Sequence, residues 1–343
     1  MKRKTIALLV LAVLALTAAC GGGGSSAADV GQAGPIGRGP NEPPGGSAPV
    51  IGNFPLTGMP AVDAAKLRRP AVTVKIDNNV QARPQAGLEA ADVIYEEFTE
   101  GITRFVVVFQ SADAGVVGPV RSVRPGDPHI AKPFGGPLVF SGGSAPVLGV
   151  VRAAGIPQVT ENDRETLRRR SGRRAPHNLY TDTNSMFRKA GAGSAPPAFS
   201  PFLALGAAPT AAGATPVPAF RLSPAPGVTA QYQWDATEAV WKRSTDGRPH
   251  TLEGGAQLSP RNVIVQYTPY VTFPDDPKVR YPEVVGSGEA VVFTGGMQVR
   301  ARWSKSSTAA MTTFTDTAGR PIALSPGQTW VHLQTPGAAP TIG

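Results

Sequence analysis

Ala71-Val-Thr-Val-Lys-Ile76, Asp92-Val-Ile-Tyr-Glu-Glu97 and Arg104-Phe-Val-Val-Val-Phe-Gln110 decide the fold. The first is β-branched and bounded by Pro70 and Asp77-Asn78, which reads as a strand between turns. The third is almost wholly apolar, as expected of a central strand buried on both faces. Working outward, Val116 to Val120 and Leu138 to Phe140 read as further short strands. Ser144 can cap a helix that runs to about Ala154 and stops at Gly155, and a polar helix is expected over Asp163 to Arg170. These elements predict a mixed α/β sandwich over residues 53–190.

Beyond it the pattern changes. Residues 191–218 are rich in Pro and Ala and read as a connection. Asn262 to Tyr267, Glu289 to Phe293, Gln298 to Trp303 and Thr329 to Leu333 then read as strands, with Asp246-Gly247 and Ala318-Gly319 as hairpin turns. In Gln298 to Trp303, Val299, Ala301 and Trp303 share one face and Gln298, Arg300 and Arg302 the other. A smaller, mainly antiparallel β domain is expected over 219–337, and the fold class is α+β.

Composition sets limits on both. The 343 residues include 40 Gly and 35 Pro, about 22% together against roughly 12% in average usage, which excludes a helical bundle. Cys20 is the only cysteine, so no intramolecular disulfide, Cys-rich zinc site or Cys-x-x-Cys pair can form.

The amino terminus explains that cysteine. Lys2-Arg3-Lys4 is a basic start, and Thr5 to Ala19 is an uncharged, mainly apolar stretch too short for a membrane-spanning helix of about 20 residues. Leu16-Thr17-Ala18-Ala19-Cys20 resembles a bacterial lipobox, although Thr17 stands where Leu is commonest. Residues 1–19 are therefore expected to be a signal peptide, and Cys20 the lipidated first residue of the mature chain. Acyl chains contribute about 0.8 kcal/mol per buried CH₂, which gives a firm anchor on the outer face of the cytoplasmic membrane. Residues 20–52 read as a flexible tether with a reach of roughly 30 Å. Losing the three basic residues lowers the formal charge from +9 to +6, which still favours anionic partners.

Catalytic signatures are missing. Gly142-Gly-Ser-Ala-Pro146 lacks the closing Gly of a nucleophile elbow, and no His-Glu-x-x-His or Walker loop occurs. Polar residues do gather at expected strand ends, where α/β folds place ligands. Candidate binding residues are Asp77, Glu96, Arg104, Arg121, Ser122, Arg124, Ser144, His177 and Asn178. Arg121 and Arg124, with amides at the Ser144 helix start, suit a phosphate or carboxylate. His177 can donate, accept or carry a proton. Glu96, Glu97 and Glu100 also suit a structural network with Arg104 and Arg121, and the arginines from Arg168 to Arg174 suit a solvated helix face. No metal, cofactor or nucleic-acid partner is expected.

The ordered motifs carry a resemblance. Asn53-Phe-Pro-Leu-Thr-Gly-Met-Pro60, Lys75-Ile-Asp-Asn78, Ala82-Arg-Pro-Gln-Ala-Gly-Leu88, Ala91-Asp-Val-Ile-Tyr-Glu96, Gly101-Ile-Thr-Arg-Phe105, Gly118-Pro-Val-Arg-Ser-Val-Arg-Pro125 and Ala175-Pro-His-Asn-Leu-Tyr180 closely resemble the YerB-like lipoproteins of Gram-positive bacteria. Asn262-Val-Ile-Val-Gln266, Trp303-Ser-Lys305 and Pro326-Gly-Gln-Thr-Trp330 resemble that family's carboxy-terminal domain. The resemblance implies a two-domain, membrane-anchored extracytoplasmic protein and brings no reaction. Gly126 departs from it, because relatives tend to carry an aromatic after the Arg-Pro pair.

The expected function is a binding or scaffolding lipoprotein of the cell envelope, its partner an anionic envelope polymer or another envelope protein. The alternative is an enzyme acting on phosphate-linked envelope glycopolymers. Phe105 to Arg124 resembles the LytR-type transferases in pattern, with Asp77 or Glu96 holding Mg²⁺ and Arg121 and Arg124 stabilising pyrophosphate charge.

Overall fold

A computed structural model describes residues 39–41 and 49–343. The signal peptide, Cys20 and most of the tether lie outside the described residues. Where the tether is described, it is bonded to the fold: Asn41 donates to Ser259 O at 2.9 Å, and its side-chain oxygen accepts from Gln328 N at 2.7 Å. Arg261 also donates to Asn41 O at 3.0 Å.

An 11-stranded mixed sheet organises the chain. Val72–Asp77, Val93–Thr99 and Ile102–Phe109 form as the sequence predicts, with Val93–Thr99 and Val72–Asp77 flanking Ile102–Phe109 antiparallel. Leu138–Val139 and Gln158–Val159 extend one edge in parallel. On the other side Thr329–Gln334 pairs parallel with both Val93–Thr99 and Asn262–Tyr267, and Gly286–Thr294, Met297–Lys305 and Thr215–Pro216 continue from there. The two expected segments thus share a single sheet, with Thr329–Gln334 at the seam. The described helices are short, and most of the cover over the sheet is strand and loop. Parallel pairing at the seam needs a strand buried on both faces, and all six residues of Thr329–Gln334 are buried.

A five-stranded sheet built around Ala219–Ala225, Val228–Asp235 and Val240–Thr245 lies over one face. Phe220, Tyr232 and Trp241 from it pack with Phe293 and Trp330 of the large sheet. Phe220 stacks on Phe293 with centroids 3.6 Å apart. The opposite face buries Tyr95, Val106, Ile264, Val331 and Trp303 against Ile130, Phe134, Phe199 and Ile322. Residues 191–218 pack too: Leu203 N donates to Leu324 O, and Phe202 lies where a side chain on Gly58 would stand.

The Ser144 helix is present as Ala145–Ala153, with Gly155 at φ +67. The polar helix expected over Asp163 to Arg170 is not formed. Asp163 closes a turn by accepting from Thr166 N at 3.1 Å, and Arg168–Arg169 then pairs antiparallel with Leu179–Tyr180. A side chain that satisfies a nearby amide competes with helix propagation, and here the turn prevails.

Candidate functional site

The polar strand ends sort into two groups because side chains alternate across a sheet. Asp77, Arg104 and Glu97 are in register on three adjacent strands, so they share one face. Glu96 is paired with Phe105 and His332 on the other.

On the first face Asp77 is a hub. Its Oδ2 meets His177 Nδ1 at 2.7 Å and Arg121 Nε at 3.2 Å, and its Oδ1 accepts from Asn79 N at 3.0 Å. Beside it, Glu100 Oε2 lies 2.7 Å from Arg124 Nη2 and 3.5 Å from Arg104 Nη2. Glu100 and Gly101 occupy the tight turn between two strands with φ of +51 and +87. Three arginines therefore share two carboxylates. Arg104 is only 4% exposed, and its Nε and Nη1 have no partner among the described residues; Arg124 Nε has none either. Burial, then repulsion from Arg124 and Arg121, lowers the Arg104 guanidinium to about 10. Burial would raise the Glu100 carboxyl, but bonding and charge from Arg124, with Arg104 and Arg121, outweigh it and hold the group low.

Ser122 and Ser144 stand next to this cluster. Together with Glu100, Arg124, Gly143 and Asp276 they line an open cavity of about 340 Å³. Ser122 Oγ is 3.3 Å from Ser141 Oγ. The Ser144 side chain makes no capping bond to its own helix, which leaves its hydroxyl to the cavity.

Glu96 and Asn178 do not join. Asn178 Oδ1 accepts from Arg169 at 2.6 Å and its amide donates to Arg170 O, so it fixes the neighbouring hairpin. In that hairpin Arg169 pairs with Glu161 while Arg170 and Arg173 pair with Glu253, so the expected solvated helix face is instead a paired β-hairpin.

Glu96 is fully buried between the sheets. It accepts from Arg243 Nη2 at 3.0 Å, Trp330 Nε1 at 3.1 Å and Thr103 Oγ1 at 2.7 Å. Arg243 also donates to Tyr232 OH, Thr245 and His250 Nδ1, and Tyr232 OH meets His332 Nε2 at 2.8 Å. Because Arg243 donates to Nδ1, the His250 proton belongs on Nε2, which bonds Gln85 Oε1 at 2.9 Å. Burial opposes charge on Glu96, yet Arg243 and His332 more than compensate and keep its carboxyl low. Burial also lowers His332, to about 4, and with Arg243 and Arg83 lowers His250.

A third constellation joins Lys75 and Glu97 in a way the sequence does not suggest. Lys75 is fully buried and bonds both Glu97 and Asp127, the latter at 2.8 Å. Asp127 also accepts from Arg124 N at 2.8 Å, which ties this group to the arginine cluster. Gly126 packs against Tyr281 and Pro282, where a side chain would come within 3.4 Å of both.

Comparison with known proteins places these features in a family. Residues 56–195 match the model described as "Protein of unknown function (DUF3048) N-terminal domain", and residues 221–331 match its C-terminal counterpart. Over 130 residues the chain is 37% identical to "Putative lipoprotein YerB" of Bacillus subtilis (strain 168), which is 37% of this chain and 39% of that relative's length. The crystal structure of the YerB protein from Bacillus subtilis superposes with a TM-score of 0.73 at 24% identity, over 85% of this chain and 99% of that one, and so shares the fold. The chain belongs to the YerB-like family of proteins of unknown function, with both of that family's segments present in order.

Proposed function

We propose that this chain is a lipid-anchored extracytoplasmic protein that binds an anionic group of a cell-envelope polymer at Arg104, Arg121 and Arg124, with His177, Ser122 and Ser144 beside them. One observation carries the reading: three convergent guanidinium groups share two carboxylates, and the most buried of them keeps two donors without partners. Guanidinium groups in such a fork suit phosphate or carboxylate oxygens. The anchor is Cys20 in its lipobox-like string, and the YerB relative's name as a lipoprotein agrees with it. Among the described residues no helix is long and apolar enough to cross a membrane. The enzyme alternative draws nothing from Glu96, whose oxygens are taken up by Arg243, Trp330 and Thr103.

The test uses the full chain in detergent and a teichoic-type phosphodiester polymer, with a neutral glycan of similar length as control. Arg121→Ala and His177→Ala together are expected to weaken binding at least tenfold, about 1.4 kcal/mol. Binding equal to that of the unsubstituted chain would place the site elsewhere. In cells, Cys20→Ala is expected to release the protein into the medium, and continued partitioning with membranes would refute the anchor.

A further inference from the structure

Trp303-Ser-Lys305 lies well away in sequence from the arginine cluster, and its lysine is in an unusual setting. Lys305 ends the strand Met297–Lys305, is 3% exposed, and has no carboxylate within 4 Å among the described residues. Its ammonium donates only to Ala310 O, so two of its three donors are unmatched. Burying an uncompensated ammonium is costly, and burial here lowers its pKa to about 8. It therefore retains most of its charge at neutral pH.

Its surroundings are also unsatisfied. Lys305 lines a small inner cavity with Tyr95, His129, Gln266 and Thr312. Gln266 is 1% exposed with neither amide atom bonded, and His129 Nδ1 lacks a partner among the described residues. Burial, reinforced by Lys305 and opposed by Glu283, lowers the His129 pKa. The inner cavity is about 10 Å³, the room of one water. Lys305 and Met311 also line an outer cavity of about 340 Å³ with Val285, Ser287, Ser306 and Thr313. Gly286 is the cross-strand partner of Lys305, and a side chain there would meet nothing within 4 Å, so the space beside the lysine stays open.

Buried polar groups left unsatisfied in one place call for a ligand or water. We infer that the outer cavity is a second binding site, distinct from the arginine cluster, that takes the carboxylate of a small monocarboxylic acid on Lys305. A single cation matches a single negative charge, and Val285 and Met311 suit a short aliphatic body. Gln266 and His129 stand behind the lysine around the inner cavity.

The experiment labels the full chain with trace acetic anhydride at pH 8 and measures acetylation of Lys305 by mass spectrometry, with butyrate or neutral butyramide present. Butyrate at ten times its dissociation constant is expected to slow Lys305 labelling about elevenfold while other lysines are unaffected, because protection scales as one plus ligand over Kd. Butyramide is expected to give no protection. Lys305→Met is expected to abolish butyrate binding in calorimetry; should that variant fail to fold, the labelling of the unsubstituted chain decides. Lys305 labelling that is unchanged by butyrate, or slowed equally by butyramide, overturns the inference.

Discussion

Two regions of this molecule combine arginine, carboxylate and histidine, and they do so under opposite solvent conditions. Between the sheets, Glu96 has three donors, Arg243 spans four side chains, and His250 and His332 are held neutral. Water is excluded, so each charge is matched where it stands. At the strand ends, Arg121 is 24% exposed and Glu100 39%, and arginines outnumber carboxylates. The first arrangement pairs its charges inside the protein and ties the two family segments together. The second is left with spare donors, which a ligand can use.

Removing a charge from each region tests the contrast. Glu96→Gln leaves the Arg243 charge buried without its counter-ion and is expected to cost about 3–5 kcal/mol in denaturant unfolding. A loss under about 1 kcal/mol would mean that the buried network contributes no more than a surface pair.

Glu97→Gln acts between the two regions. Burial, with Asp127 adding to it and Lys75 opposing, raises the Glu97 carboxyl from 4.5 to about 7. The folded protein thus binds this proton more tightly than the unfolded chain. Its stabilising contribution is present at low pH and lost as pH rises from about 4.5 to about 7, with a slope of at most about 1.4 kcal/mol per pH unit. The Gln variant is expected to flatten that part of the stability curve measured by thermal unfolding against pH. An unchanged slope would assign the proton elsewhere.

The smallest effect is expected at Glu100, whose carboxylate stands where a ligand anion would meet Arg104 and Arg124. An exposed pair contributes about 0.2–1 kcal/mol, so Glu100→Gln should tighten polymer binding by about 1.5- to 5-fold. Weaker binding would show instead that Glu100 orients the arginines.

Much of the fold is legible locally. The runs from Val72, Val93 and Ile102 form strands because their β-branched and aromatic residues suit a buried sheet. Gly155 stops its helix as expected, while Ser144 starts it without the expected capping bond. The turn at Asp163 is missed because its charged run can be read as helix until the Arg168–Arg169 pairing competes. The strands Ala219–Ala225 and Val228–Asp235 are missed because Gly227, Pro224 and scattered polar residues dilute their alternation. In the site, the sequence brings forward Asp77, Arg104, Arg121, Arg124 and His177, which do converge. Lys75 and Lys305 enter only as members of family-like motifs and Arg243 not at all, since an isolated basic residue carries no local mark of burial.

Alternation along Glu96-Glu97 requires by itself that the two side chains point to opposite faces. Composition likewise excludes a disulfide and marks Cys20 as exceptional. Only the tertiary structure decides which face and which partners each glutamate takes, because that depends on register: Glu97 lies beside Arg104 and Asp77 and bonds Lys75, while Glu96 lies beside His332 from the other end of the chain and bonds Arg243. A shift of one residue would exchange the two faces and with them the roles of the two carboxylates. Cross-strand pairing over more than 200 residues fixes that register through burial and hydrogen bonding, which no local pattern encodes.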